Sequence, residues 1–329
     1  MKSLNSFKRR VTNLQEEEFE DLALDIFKYQ AQDNLVYSQY LEALNLSTSD
    51  ITSLDQIPFL PIEFFKDHKV VTGNWHAEKV FKSSGTTGMT RSCHYMDEIA
   101  FYQENSRNIF EFFFGDIDEY CFFALLPSYQ EQGNSSLIAM VDYFMSCTQN
   151  DHGGYFLDDL EGLIDQIKSV LRLGDKKVVL FGVGYALLDL CKLQPGDLDN
   201  LLIIETGGMK GRREELTKEE FYEIMRSDLG KVDIFSEYGM TELLSQAYSD
   251  GNKFRTPASM RVFIRDINDP FSRLSDGKVG GVNVIDLANI HSCSFIETKD
   301  LGRMDAEGRF EILGRIDNSD IRGCNLLVV

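Results

Sequence analysis

Apolar and polar positions divide the chain into three stretches. From Leu14 to Ala31, apolar Phe19, Leu22, Leu24, Ile26 and Phe27 recur among acidic residues, which predicts an amphipathic helix. A second helix is predicted from Leu35 to Leu44, and Pro58 and Pro61 mark an extended connector. Strands and helices are then expected to alternate through Tyr120–Leu126, Leu137–Phe144, Leu157–Leu173, Val178–Phe181, Leu201–Glu205, Glu214–Met225 and Val232–Phe235. Apolar strand-like runs alternating with amphipathic helices predict an α/β fold with a mainly parallel, helix-covered sheet. Beyond Pro257 the helical pattern fades. Arg261–Ile264, Val279–Leu287 and Arg309–Leu313 read as strands joined by turns at Asp276-Gly277 and Ala306-Glu307-Gly308. The expected organisation is a helical segment, 1–75, packed on an α/β core, 76–256, followed by a β-rich part, 257–329. Phe110, Phe112, Phe113 and Phe114 form the densest aromatic cluster. A helix-end core cluster is favoured there over the lining of an acyl pocket.

Candidate chemistry concentrates in one loop. After the alternating Ala77-Glu78-Lys79-Val80-Phe81, the run Ser83-Ser84-Gly85-Thr86-Thr87-Gly88 gathers glycines and hydroxyls, and Arg91 follows. Glycines let backbone N–H groups approach a ligand, hydroxyls add donors, and arginine adds a fixed positive charge. A strand running into such a loop reads as a phosphate cradle, although the Walker A spacing is absent. An ordinary hydrophilic loop is the other reading. Gly182-Val183-Gly184 follows a strand but lacks the third glycine and the ribose-reading acid of a dinucleotide site.

Composition narrows the function classes. A chain of 329 residues buries a sizeable core, as one large domain or two intimate ones. Its 33 basic and 53 acidic residues give −20, which argues against nucleic acid or an anionic membrane as partner. No window is apolar enough to span a bilayer. The basic N-terminus lacks an apolar h-region, so it reads as mature protein. The six cysteines form no C-x-x-C pair, which disfavours a zinc or redox site and fits a reduced, cytoplasmic protein; Cys121 and Cys191 sit in apolar runs and are expected to be buried. The lone His94 and His152 flank loops and read as hydrogen-bonded structural residues.

Two later segments join the glycine-rich loop. Phe235-Ser236-Glu237-Tyr238-Gly239-Met240-Thr241-Glu242 follows a strand-like run and precedes a helix-like Leu243-Leu244. Thr298-Lys299-Asp300-Leu301-Gly302-Arg303 is followed by Leu313-Gly314-Arg315-Ile316-Asp317. In this order, SSGTTG, YGMTE, TKDLGR and LGRID resemble the motifs of the adenylate-forming superfamily, which includes acyl-CoA synthetases and phenylacetate–CoA ligases. Ile57-Pro58-Phe59-Leu60-Pro61-Ile62-Glu63-Phe64-Phe65-Lys66, Glu205-Thr206-Gly207-Gly208-Met209-Lys210 and Ile321-Arg322-Gly323-Cys324-Asn325-Leu326-Leu327 are similar to the acyl-protein synthetase family. That family supplies activated fatty acid to an acyl reductase.

The resemblance implies the fold of the large N-terminal domain of adenylate-forming enzymes, and a set of roles. Ser83, Ser84, Gly85, Thr86, Thr87 and Gly88 would cradle the β- and γ-phosphates of ATP, with Arg91 beside them. Thr241 would contact the α-phosphate and Glu242 would bind Mg²⁺. Tyr238-Gly239 would lie against adenine, with Gly207 and Gly208 along its other face. Asp300 would accept both ribose hydroxyls, and Arg315 would bind ribose or phosphate. Gly182, Val183 and Gly184 would border the acyl pocket, as would the Gly153-Gly154-Tyr155 turn. The expected substrate is a carboxylic, fatty acid, and the expected partner an acyl reductase or other acyl-acceptor protein.

Two departures stand out. Thr90-Arg91-Ser92 replaces the usual Pro-Lys-Gly, and arginine presents a planar fork. The small mobile C-terminal domain, with its adenylation lysine, is expected to be absent; Lys210 and Arg212 are candidate substitutes. Cys324, beside Arg322 and Gly323, would then carry the acyl group as a thioester. A buried cysteine in a final strand is the alternative. Rival functions are a CoA or carrier-protein ligase of the same superfamily and a non-catalytic nucleotide- or acyl-binding subunit.

Overall fold

The computed structural model describes residues 4–83, 90–126, 134–148, 152–156, 159–207 and 216–316. In chain order the elements begin with α1 (Leu4–Thr12), α2 (Phe19–Asp33), α3 (Leu35–Ala43), β1 (Leu60–Pro61) and α4 (Phe64–Asp67). Next come β2 (Lys79–Lys82), β3 (Cys93–Met96), α5 (Ile99–Phe114), β4 (Tyr120–Leu125), α6 (Ser136–Cys147), β5 (Gly154–Tyr155) and α7 (Leu160–Leu173). They are followed by β6 (Lys177–Val183), α8 (Gly184–Lys192), β7 (Leu201–Thr206), α9 (Lys218–Leu229) and β8 (Asp233–Tyr238). The last strands are β9 (Ala247–Asp250), β10 (Lys253–Arg255), β11 (Met260–Arg265), β12 (Val279–Asp286), β13 (Phe295–Met304) and β14 (Phe310–Arg315). They cluster into two units, one from the described residues of 1–75 and 258–329, the other from those of 76–257.

In the first unit, α2 buries Phe19, Leu22, Ile26 and Phe27 as its pattern predicts, with Ala23 buried as well and the predicted Leu24 half-buried. Asn34 caps α3, its side-chain oxygen accepting the Tyr37 N–H at 3.0 Å. The buried Gln30 amide donates to Asn289 O and Ile290 O and accepts from Ser294 N, tying α2 to the β12–β13 connection. Strands β11, β12, β13 and β14 pair antiparallel in that order, and β1 adds to β13 in parallel. The Asp276-Gly277 and 305–308 turns lead into β12 and β14; Gly277 and Gly308 each hold a positive φ there.

In the second unit, β5, β4, β6, β7 and β8 lie side by side in parallel. Antiparallel β9 and β10 continue beyond β8. β4 is buried at every position and β6 at all but Lys177, as strands covered on both faces should be. Thr217 starts α9 with a capping box to Glu220, and Asp159 caps α7. α5 ends in the aromatic cluster: Phe110 touches Phe114, Tyr120, Phe122 and Phe144 at ring-centroid distances of 4.9–5.4 Å. Phe110 therefore forms core at a helix end, with Phe113 and Phe114 packed partly exposed beside it, whereas Phe112 is 65% exposed and leaves the expected core cluster.

One local expectation is wrong. Leu243-Leu244 does not begin a helix. Leu243 N donates to Met240 O at 3.1 Å, closing a turn, and the chain returns as β9 antiparallel to β8. Two adjacent apolar residues are buried there without helical periodicity.

Candidate active site

The glycine-rich loop connects the two strands of an antiparallel hairpin, with Lys82 opposite Cys93 and Phe81 opposite His94. Its neck is closed from both sides. Ser83 N donates to Ser92 O at 3.1 Å, and Ser92 N donates to Ser83 Oγ at 3.0 Å. Ser83 thus shapes the loop's base. Ser84 to Gly88 lie outside the described residues.

His94 joins this hairpin to the turn after β8. The ring is fully buried, and Nδ1 stands 2.7 Å from the Thr241 carbonyl. A carbonyl only accepts, so Nδ1 carries the proton. From the other side, Asn105 of α5 donates to Leu244 O at 3.0 Å. Two distant parts of the sequence therefore fix the Thr241-Glu242 turn. Glu242 is buried at 5% exposure, whereas Thr241 is partly exposed.

Tyr238 ends β8 with its ring against Phe254, centroids 5.8 Å apart. Gly207 leaves β7 with φ +75°, a conformation that favours glycine. At Gly239 an added Cβ would overlap Glu237 Oε1. Gly182 is packed against Leu187, leaving no room for a side chain, and Val183 and Gly184 carry β6 straight into α8. Gly182 pairs with Glu205 and Val183 with Thr206. Gly154 and Tyr155 form β5 on β4, not a free turn.

Asp300 and Arg315 belong to the other unit. There the two residues face each other across β13 and β14, and Arg315 Nε lies 3.7 Å from Asp300 Oδ1. Asp300 N donates to Thr298 Oγ1 at 3.1 Å, and Thr298 O accepts from the buried Arg265 at 2.9 Å. Arg265 also bonds Val282 O and Asn283 Oδ1 and pairs with Glu297 at 3.3 Å. A Cβ at Gly281 would occupy the space of the Arg265 guanidinium. A buried arginine thus fixes the strand that presents Asp300.

The family model of acyl-protein synthetases, LuxE, matches residues 155–329, more than half of the sequence. The chain belongs to the acyl-protein synthetase family. No curated protein matches it. Among solved structures, it resembles a 2-hydroxyisobutyryl-CoA ligase in complex with 2-HIB-AMP and CoA, at 11% identity and TM-score 0.68, over 93% of this chain and 71% of that one. It also resembles an ATP-bound RpMatB-BxBclM chimera, at 17% identity and TM-score 0.54, over 74% of this chain and 50% of that one. A third likeness is to the luciferase-like enzyme of the nonluminescent Zophobas morio mealworm, at 15% identity and TM-score 0.52, over 74% of this chain and 58% of that one. The chain thus spans half the length of the chimera. At these identities the likeness is one of fold, that of adenylate-forming enzymes.

Among the thiols of this acyl-protein synthetase family member, Cys121, Cys191 and Cys293 are buried. Burial pushes the Cys191 and Cys293 thiols up to about 12, with Asp228 adding to the effect on Cys191, so neither offers a thiolate near neutral pH. Cys93 and Cys147 are partly exposed, and Cys324 and Gly208 lie outside the described residues. No described helix is long and apolar enough to cross a membrane.

His94 is the hydrogen-bonded structural residue its sequence context predicts, and its bond holds the Thr241-Glu242 turn, 147 positions away. The sequence pattern gives Glu237 no role. Thr206 Oγ1 donates to Glu237 Oε2 at 2.6 Å. Burial, reinforced by Glu205, pushes the Glu237 carboxyl up to about 7, while the Thr206 bond pulls it down. The sequence signal is its place: Glu237 stands directly before Tyr238-Gly239, two residues beyond the predicted strand Val232–Phe235.

Proposed function

We propose that this chain activates a carboxylic acid with ATP and passes the acyl group to a thiol. A carboxylate oxygen attacks the α-phosphorus, the bond to the bridging oxygen breaks, and pyrophosphate leaves. A thiolate then attacks the acyl carbon of the mixed anhydride and AMP leaves. Family membership and an adenylate-forming fold support this reading, and ATP is bound in one of the structures it resembles.

The observation that carries it is the 2.7 Å bond from His94 to Thr241, which sets the hairpin of the glycine-rich loop against the Thr241-Glu242 turn. In this reading Ser83 to Gly88 and Arg91 hold the β- and γ-phosphates, and Thr241 meets the α-phosphate. Tyr238, Gly239, Gly207 and Gly208 flank the adenine, and Asp300 and Arg315 take the ribose. Gly182 to Gly184 border the acyl group. Magnesium takes one or two carboxylates together with substrate phosphates. Glu242 suits that role, and no group of three or more metal-binding side chains occurs among the described residues. When bound, the ion would neutralise charge developing on the phosphates.

The acceptor in this reading is Cys324, in a reduced, cytoplasmic setting, and the acyl group moves on to a reductase or other acceptor protein. Intact-mass spectrometry after incubation with ATP, Mg²⁺ and acid tests it. One acyl mass, removable by neutral hydroxylamine and lost in Cys324→Ser while pyrophosphate release persists, is the expected result. A label that survives Cys324→Ser overturns the assignment of the acceptor. Acyl transfer to added CoA with no protein label would instead favour a CoA ligase.

A further inference from the structure

A cleft of about 380 Å³ opens in the first unit, where α1 and the segment after it meet α2. Its size is that of a small-ligand pocket. Leu22, fully buried, and the partly buried Leu14 supply its apolar lining. Ser6, Arg9, Arg10, Asn13 and Glu18 supply the polar lining, and their charges are unevenly paired.

Arg10 is held by Asp25 of α2, Nη1 to Oδ2 2.6 Å, so these two charges offset each other. Arg9, exposed on the same helix, makes no ion pair among the described residues. Asn13 donates its side-chain N–H to Arg9 O at 2.8 Å, which leaves its amide oxygen as an acceptor. Glu18 accepts the Gln15 N–H on Oε2 at 3.2 Å, and its Oε1 has no hydrogen-bond partner among the described residues. One cleft thus presents an unpaired guanidinium, open acceptor oxygens and two leucines. A simple anion would meet Glu18 there, and a simple amine would meet Arg9 and Arg10. A ligand carrying both charges complements both.

We propose that this cleft binds a zwitterionic α-amino acid with an apolar side chain. The carboxylate meets the planar fork of Arg9, whose geometry suits two parallel hydrogen bonds, and the Ser6 hydroxyl is a further donor in the same lining. The ammonium donates to Glu18 Oε1 and Asn13 Oδ1. The side chain lies on Leu14 and Leu22 and takes their apolar surface out of water. Arg10, already paired with Asp25, adds little of its own. None of these residues belongs to the segments assigned to ATP or to the activated acid, so the proposal stands independently of the activation reading. A site that must satisfy two opposite charges discriminates against analogues that lack either one.

The test is isothermal titration of the full chain, without ATP, with L-leucine, L-methionine, L-phenylalanine and glycine. Two leucine analogues go with them: 4-methylpentanoate, which lacks the ammonium, and isoamylamine, which lacks the carboxylate. At least one of the three apolar amino acids should bind, roughly tenfold or more tightly than glycine. Arg9→Ala and Glu18→Gln should each weaken that binding by roughly tenfold or more. Both side chains are exposed, so both variants should fold, and acid-dependent pyrophosphate release should stay at the wild-type level. An analogue may also occupy the activated acid's own site, so only binding that Arg9→Ala removes counts as binding at the cleft. By that measure both leucine analogues should bind at least about tenfold more weakly than L-leucine. No binding of any apolar amino acid at millimolar concentration overturns the proposal. So does amino-acid binding that both variants leave intact. An Arg9-dependent affinity for 4-methylpentanoate equal to that for L-leucine also overturns it, and leaves a simple carboxylate site.

Discussion

Thr206 and Glu237 share a 2.6 Å hydrogen bond across the ends of β7 and β8. Glu205, the residue before Thr206, faces the opposite side of the sheet, where Ser236 donates to it at 2.9 Å. Ser236 in turn receives Lys218 and meets Tyr222, both from α9. Two glutamates on neighbouring strands thus address opposite faces. One joins a network closed by α9, and the other keeps an oxygen over Gly239.

This arrangement predicts a pH signature. The folded chain holds a proton on Glu237 up to about pH 7, whereas an unfolded glutamate releases it near 4.5. The contribution of this group is therefore complete below about pH 4.5 and is lost as pH rises towards 7. Denaturant unfolding at pH 5 and pH 8 should show Glu237→Gln narrowing the stability difference by on the order of 2 kcal/mol. An unchanged difference would mean that Glu237 ionises normally in the folded protein.

Gly239→Ala should displace the Glu237 carboxyl, because the new methyl takes the position of Oε1. The carboxylate end can rotate away, so the cost is about 1 kcal/mol, one hydrogen bond. The variant should fold, with its stability in denaturant lowered by about that amount. Unchanged stability would show that the carboxyl moves aside without losing its bond to Thr206.

In the first unit, Asp300→Ala should raise KM for ATP roughly tenfold or more, with little change in melting temperature. Arg315→Ala should do less, since Arg315 is 72% exposed and stands 3.7 Å from its partner. Arg265→Met should instead destabilise that unit by about 3 kcal/mol, because it strands the Glu297 carboxyl, whose pKa burial already raises, in the interior. Steady-state kinetics and thermal unfolding of the three variants separate these effects.

Much of the fold was legible in the pattern of the chain. Continuous apolar runs such as Val178–Phe181 became doubly covered strands, and the turns at Gly277 and Gly308 formed where their glycines allow positive φ. Asp300 and Arg315 came together because their motifs lie on paired strands close in sequence. The His94–Thr241 and Thr206–Glu237 contacts were not legible, since their partners are 147 and 31 positions apart and depend on strand order. The Leu243-Leu244 pair misled because a short apolar run has no period to distinguish a helix from a buried turn.

The activation itself is tested most directly by mixing the full chain with ATP, Mg²⁺ and the acid panel, and measuring pyrophosphate and AMP. Pyrophosphate release that requires an acid and falls at least about a hundredfold in Glu242→Gln, with acid binding retained, is the predicted result. ATP binding without pyrophosphate release for any acid would contradict it and leave a nucleotide-binding subunit.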